Sequence, residues 1–287
     1  MKNGHLEAVG VLLDHGADIE QRDWEIGNAL THAALHGYVD MAKLLLDRGA
    51  NVEAQSTNNL WTALHVGADE GHAEVVHALL EHNANAHHRN AIGETALHRA
   101  AAGGHVECVR MLIDAGVDVD LQDTSDGYSA LMRASQSGHL EAVRLLLGGG
   151  RVDVNKLELE DTGAQVELRR LDGNTALSFS TNRNHTDISK LLLEHGADPN
   201  SQNNKGESVL MYAAEAGNAE IVQLLLVRGA IAEQRSHPPR SWTPLMWAAQ
   251  NGHEEVARTL MIGGARPDAR TYEYVTHCAQ PASLSLV

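Results

Sequence analysis

The sequence predicts an all-α solenoid, in which short helix-turn-helix units stack side by side and are joined by β-hairpin-like fingers, one of them extended. Three observations predict it. Leucines recur at Leu30, Leu64, Leu97, Leu131, Leu177, Leu210 and Leu245, in steps of 34, 33, 34, 46, 33 and 35 residues. A second register agrees with the first: a small turn reads "HGAD" ending at Asp18, "RGAN" at Asn51, "HNAN" at Asn85, "AGVD" at Asp118, "HGAD" at Asp198 and "RGAI" at Ile231. Aromatic residues make up only 3% of the 287 residues, with a single Phe. A thick core would use more aromatic volume, whereas thin layers of Ala and Leu do not need it.

Each element follows from local chemistry. Two residues before the marker leucine stands Asn28, Thr62, Thr95, Ser129, Thr175, Ser208 or Thr243, all able to accept a backbone hydrogen bond at the start of a helix. Pro244 suits a first helical turn. The first helix, as in "ALHRAAAGG", stops at Gly37, Gly71, Gly104, Gly138, Gly217 or Gly252, with Asn184 as the stand-in for a left-handed cap. The second helix carries apolar residues at helical spacing, such as Val75, Val76, Leu79 and Leu80. It ends at Gly16, Gly49, Gly116, Gly196, Gly229 or Gly264, or at Asn83. Helices this short do not stand alone in water, so neighbouring units must bury their apolar faces. The segments between units, such as "DVDLQDTSDGYSA", are polar and turn-rich.

These residues carry a family resemblance. "ETALHRAAAGGHVECVRMLIDAGVDVD", Glu94 to Asp120, resembles an ankyrin repeat, and "WTPLMWAAQNGHEEVARTLMIGGARPD" is similar. The resemblance covers residues 4 to 270 and implies a single array over 1–270 followed by a tail, 271–287. The expected pieces are a partial unit 1–22 and units at 23–55, 56–89, 90–122, 123–171 (with a long finger at 156–171), 172–202, 203–234 and 235–270. Thr31, Met132, Ser178, Met211 and Met246 replace the family's helix-start histidine, kept at His65 and His98, where the ring can reach the next finger. Local loosening is expected at the replacements. The array opens at "NGHLEAV", a second helix without its first, and Leu260, Met261 and Ile262 have no following layer. Either the tail, 271–287, covers this edge, or the chain is a piece of something longer, which is the expectation here. The resemblance also puts Asn155 and Asn200 at a finger asparagine that is hydroxylated in some family members.

The composition narrows the function. A net charge of −16 disfavours nucleic acid and anionic membranes as general partners. The N-terminus lacks a signal-peptide apolar run, and no stretch is long enough to cross a bilayer. Cys108 and Cys278 form neither a disulfide framework nor a zinc spacing. A cytoplasmic, monomeric protein is expected. There is no GxSxG, no Walker loop and no HExxH, so neither an enzyme nor a cofactor is expected. Most of the 18 histidines occupy repeat positions. The leftovers are His77, His82, His87 and His88, and His77 and His82 are not at the i, i+4 spacing of helical metal pairs. No metal site is expected.

Binding remains as the positive reading. The resemblance implies a concave face, lined by finger tips and first helices, on which a protein or peptide docks. The alternative is a recruiting or regulatory arm of a larger protein, such as a ubiquitin-ligase adaptor, a channel or an enzyme. The finger position before the helix cap holds Gly27, Trp61, Glu94, Tyr128, Asn174, Glu207 and Trp242. Trp61, Tyr128 and Trp242, with Trp24, are candidate exposed anchors, or else each packs on the neighbouring finger. A second ladder reads His32, Val66, Arg99, Arg133, Phe179, Tyr212 and Trp247. Its aromatic members read as packing. Arg99 and Arg133 read as solvent-reaching, side by side, and able to clamp a partner's carboxylate. "RSHPPRSW" adds Arg240 on a longer finger.

The 46-residue step contains "KLELEDTGAQVELRRLDG". Leu157 and Leu159 alternate with Glu158 and Glu160, and Val166 and Leu168 alternate with Glu167 and Arg169, across "DTGA". Such alternation reads as two half-buried strands of an extended hairpin. An isolated hairpin is marginal in water, so its four apolar residues need cover from the array or from a partner.

Overall fold

The computed structural model describes residues 4–22, 27–148 and 163–268. Their contacts group into two compact units, Met1–Gln165 and Val166–Val287. In the first, α2 (Ala29–His36), α4 (Ala63–Asp69), α6 (Ala96–Gly103) and α8 (Ala130–Ser137) pack in succession as one row. Behind them run α1 (Gly4–Asp14), α3 (Val39–Asp47), α5 (Ala73–Glu81), α7 (Val106–Asp114) and α9 (Leu140–Leu147). The second unit repeats the arrangement with α10 (Ala176–Asn182), α12 (Val209–Ala216) and α14 (Pro244–Gln250) in front, and α11 (Thr186–Glu194), α13 (Ala219–Val227) and α15 (Glu254–Ile262) behind.

The seven marker leucines are buried between the rows, as are Leu45, Leu79, Leu112, Leu146, Leu192 and Leu225 of the second helices. Each such side chain contributes roughly 2 kcal/mol. The dependence on a neighbour is visible at α1, which has no first helix against it. Leu12 is 59% exposed, whereas its counterpart Leu45 is 1% exposed.

Polar contacts tie one unit to the next at three levels. At the helix starts, Thr62 Oγ1 and Thr95 Oγ1 lie 3.0 Å from Nδ1 of His65 and His98. The opposite ring nitrogens reach carbonyls of the following finger, His65 Nε2 to Glu94 O and His98 Nε2 to Tyr128 O, each at 3.2 Å. Ser178 and Met211 keep the local cap through Thr175 N–H and Ser208 N–H but are too short or too apolar to make the second bond. The loosening expected there takes that form.

At the turns, Gly104 closes α6 at φ 70°. A Cβ there would run into the ring of His139, which donates from Nε2 to Ala102 O at 3.0 Å. Gly37 with His72, Gly71 with His105 and Gly217 with His253 repeat the arrangement. The glycine is needed twice, for the left-handed backbone and for the imidazole of the next unit. Asn83 and Asn184 stand in for glycine at φ 61°.

At the base of the fingers, a side chain from one finger accepts the backbone N–H of the next unit's turn. Glu20 takes Asn51 N–H, Glu53 takes Asn85 N–H and Asp120 takes Gln165 N–H, each at 2.7 Å. In the second unit Glu167 takes Asp198 N–H, Asn200 takes Ile231 N–H and Glu233 takes Arg266 N–H. His87 occupies this slot before Asp118, and no such bond forms there. Five of the 38 acidic residues thus hold the fold together at these turns. Asn200 also donates from Nδ2 to Gly229 O, and Asn155 lies outside the described residues.

The extended hairpin needs correction. Ala164 N–H donates to Leu146 O at 2.8 Å, the same bond that joins Ala50 to Leu45 and Ala197 to Leu192. Gly163–Gln165 thus belong to the ordinary small turn, not to the bend of a hairpin. Val166 and Glu167 form the tight turn that opens a normal finger. Arg169 donates to Gly173 O and Gln202 O, as Arg89 does to Gly93 O and Gln122 O. Val166 and Leu168 are half-buried in that register and form no strand. The extra residues fall within 149–162, which with Leu157 and Leu159 lie outside the described residues. Among the described residues the fingers carry only two isolated bridges, Gln122–Ser129 and Gln202–Ser208.

Two predictions follow from these contacts. Gly104→Ala should destabilise the chain more than Gly116→Ala, whose φ of 82° is similar but whose Cβ would meet nothing. A left-handed alanine costs roughly 1–2 kcal/mol, and only Gly104 adds the collision. Equal losses in urea denaturation would contradict the wedge. Burial pushes the His65 imidazole down to about 4 and His98 below its usual range. Both rings stay neutral in the fold but protonate in the unfolded chain below pH 6.5. For His65 the stabilisation is complete above 6.5 and is lost as the pH falls toward 4, on the order of 3 kcal/mol; His98 acts in the same direction. His65→Gln should therefore cost stability at pH 7 and progressively less toward pH 4. A cost independent of pH would refute this.

Candidate functional site

The finger tips and the adjoining first helices hold most of the residues that the sequence singles out. Trp24 lies outside the described residues. Trp61 is half-buried, with the Arg99 guanidinium 5.0 Å from its ring. Tyr128 is only 7% exposed and lies under Arg133 at 3.9 Å. Trp242 meets Trp247 edge to face at 5.0 Å. The finger aromatics are therefore packed rather than offered singly to solvent.

The two sequence ladders meet in space. A first-helix side chain of one unit reaches back to the finger of the unit before: Arg99 to Trp61, Arg133 to Glu94 and Tyr212 to Asn174. Sequence reasoning treated the ladders separately. The clue available was their constant offset of 38 or 39 residues.

This offset redefines Arg99 and Arg133. Instead of waiting for a partner's carboxylate, they hold carboxylates of the chain itself. Arg99 pairs with Asp69 at 2.7 Å and approaches Glu94 at 3.6 Å. Arg133 pairs with Glu94 at 3.0 Å and with Asp123 at 3.1 Å. The side chains of Glu94 and Asp123 are buried, and a buried carboxylate requires such pairing. Burial pushes the Asp123 carboxyl up, but the N–H groups of Asp126 and Gly127, together with Arg133 and Ser125, outweigh it and hold it below the usual range. The second unit fills the equivalent place with Glu207 and hydrogen-bonding neutral side chains, with Tyr212 standing where the first unit has an arginine. Tyr212 O–H donates to Asn174 Oδ1 at 3.0 Å, and Asn203 Nδ2 donates to Glu207 at 2.8 Å. Burial, then the nearby Glu207, keeps the phenol protonated.

Large apolar side chains are exposed at the tips, as they also are on the second helices at Val227 and Ile262. Leu60 and Ile92 are 42% and 43% exposed, on consecutive fingers. The tips are tied by backbone bonds, Ala91 N–H to Asn59 O at 2.9 Å and Thr124 N–H to Ile92 O at 2.8 Å. In the second unit Leu171 is 71% exposed, and the corresponding bonds join Asn204 to Asp172 and His237 to Lys205. Arg240 is exposed and stacks on Trp242 and Trp247. The sequence signal for Leu60, Ile92 and Leu171 is an apolar residue inside an otherwise polar turn, in "TNNLW", "NAIGE" and "RRLDG". Among the described residues no cluster of His, Cys, Asp and Glu is placed to hold a metal ion, and no helix is long and apolar enough to cross a membrane.

The charge network makes a direct prediction. Arg133→Met leaves Glu94 and Asp123 buried with less compensation. It should destabilise the first unit by roughly 3 kcal/mol at pH 7, measured by chemical denaturation. A loss below about 1 kcal/mol, the range of exposed ion pairs, would contradict the network.

Comparison with known proteins places this architecture. The ankyrin-repeat family model matches residues 1–90, 82–158, 154–235 and 196–271. The chain is 37% identical over 176 residues to the ankyrin repeat and KH domain-containing protein mask-1 of Caenorhabditis elegans, covering 60% of this chain and 6% of that protein. It is 32% identical over 114 residues to the human ankyrin repeat and SOCS box protein 11, covering 39% of this chain and 34% of that protein. It thus spans a minor part of the length of these relatives. The crystal structure of the human ASB11 ankyrin repeat domain superposes with a TM-score of 0.69 at 27% identity, over 83% of this chain and 98% of that one. The family model spans nearly the whole chain, and the stacked pairs of short capped helices agree with it: the chain belongs to the ankyrin-repeat family.

Proposed function

We propose that the chain is a non-catalytic interaction module that binds a protein partner across its finger tips. The observation that carries this reading is the pair of exposed apolar side chains, Leu60 and Ile92, on consecutive tips held together by backbone hydrogen bonds. Their spacing is set by the stack, so binding orders little of the chain, and less of the interaction energy is lost to that ordering. Trp61, half-buried beside them under Arg99, supplies a rigid wall at the edge of the patch. Arg99 and Arg133, the arginines beside this patch, are already neutralised internally, which leaves apolar contact as its main source of affinity. Such a surface suits a protein or peptide.

A second reading makes the chain the recruiting arm of a larger protein. It is favoured by the likeness to relatives whose names join ankyrin repeats to a SOCS box or a KH domain, and of which this chain matches only a part. In that reading the tips still select the partner, and the activity lies in other domains.

Leu60→Asp combined with Ile92→Asp tests the tips directly. Both residues are exposed, so the melting temperature should stay within about 2 °C of wild type. The proteins retained by the wild-type chain in affinity capture should be lost, with affinity down by at least about tenfold. Undiminished capture by the double variant would exclude these tips as the binding surface.

A further inference from the structure

We propose that Arg240, Trp242 and Trp247 form a binding site for the side-chain carboxylate of an Asp or Glu in a partner protein. The inference rests on the interaction-module reading and assigns one chemical group of the partner to one place in the second unit.

The first unit supplies the template. There, each arginine lying over a finger aromatic is also neutralised by carboxylates: Arg99 over Trp61 by Asp69 and Glu94, and Arg133 over Tyr128 by Glu94 and Asp123. Arg240 has the aromatic half of this arrangement in duplicate. Its guanidinium carbon lies 5.6 Å from the Trp242 ring and 5.7 Å from the Trp247 ring. Among the described residues no Asp or Glu pairs with it, and its side chain is exposed. The stretch Arg235 to Trp242 contains no acidic residue, and the adjacent tip contributes Lys205, whose carbonyl accepts the His237 N–H. The tip is thus locally cationic on a strongly acidic chain.

A second observation points to an acceptor. Trp247 is 9% exposed, and its indole Nε1–H is shielded from solvent without a hydrogen-bond partner. Buried donors left unmet are uncommon and unfavourable. A carboxylate answers both needs, because one oxygen can pair with the guanidinium while the other accepts the indole N–H. Arg240 is held by stacking alone, so it can shift with an incoming carboxylate and uncover the indole edge. Glu215 is the internal competitor. It senses Arg240 but does not pair with it, and burial and Glu207 raise its carboxyl above the usual range, with Arg240 only partly offsetting them. The tip is open rather than enclosed, so a lone carboxylate binds weakly, and tight binding takes a carboxylate on a chain that makes further contacts. As with Asp69, Glu94 and Asp123, a side chain is the source that fits.

The test uses the full chain labelled with ¹⁵N, with the Trp247 indole signal assigned by Trp247→Phe. The wild type and Arg240→Gln are each titrated with N-acetyl-glutamate N-methylamide and, separately, with the glutamine analogue. The expected result is a saturable shift of the Trp247 indole N–H with the glutamate compound, at least about tenfold weaker with glutamine and absent in Arg240→Gln. Unchanged remaining signals establish that the variant is folded. No shift, or equal shifts in the two proteins, would overturn the site. Peptides selected for binding to the whole chain separate the two levels of the reading. Selected binders indifferent to Arg240→Gln would overturn this site and leave the interaction module standing. A glutamate-specific shift with no selectable binder would support the site and count against the module.

Discussion

Everything in this chain depends on polar bonds that reach from one unit into the next. A unit of two short helices cannot bury its own apolar face, and Leu12, exposed where α1 has no first helix beside it, shows the consequence. Apolar stacking alone would allow neighbouring units to slide. The histidine wedges, the acidic side chains under the turns and the back-reaching first-helix residues each end on a specific atom of the neighbour. Together they fix the register. The bonds from His65 to Glu94 O and from His98 to Tyr128 O are buried, so losing either leaves a buried carbonyl unmet and costs more than the bond itself.

The same economy decides what is left for binding. Residues that look like functional decoration in the sequence are largely committed to the fold. Arg99 and Arg133 neutralise buried carboxylates, Tyr128 lies beneath Arg133, and Glu53, Asp120 and Glu167 cap turns. At the tips, what remains is a short row of side chains, Leu60 and Ile92 in one unit and Leu171 and Arg240 in the other. A partner that reads these tips meets a surface whose spacing is set before it arrives.

The repeat, the caps, the turn glycines and their asparagine stand-ins were all legible in the sequence, because each is a local choice enforced once per unit. The role of His65 and His98 was legible for the same reason. The site was less legible, because its chemistry is set by pairs one unit apart. Exposed anchors and solvent-reaching arginines were reasonable readings of single positions. They failed where a side chain from the next unit covers the aromatic, or where a carboxylate from the previous finger takes the charge. The second strand expected at Val166 to Leu168 failed for a different reason. Alternation of apolar and charged residues is also what an ordinary finger shows, and Gly163–Gln165 repeats the "GAN" and "GAD" turns closely enough to mark where the regular register resumes.

The central claim, that side chains of one finger hold the backbone of the next unit, is most directly measured by amide hydrogen exchange at one position of successive units. Asn85 N–H is bonded to Glu53, whereas the equivalent Asp118 N–H follows His87 and has no such acceptor. The account predicts that Asn85 exchanges at least about tenfold more slowly than Asp118, and that Glu53→Ala brings Asn85 to the rate of Asp118. Equal rates in the wild type, or a Glu53→Ala variant whose Asn85 amide remains protected, would contradict it.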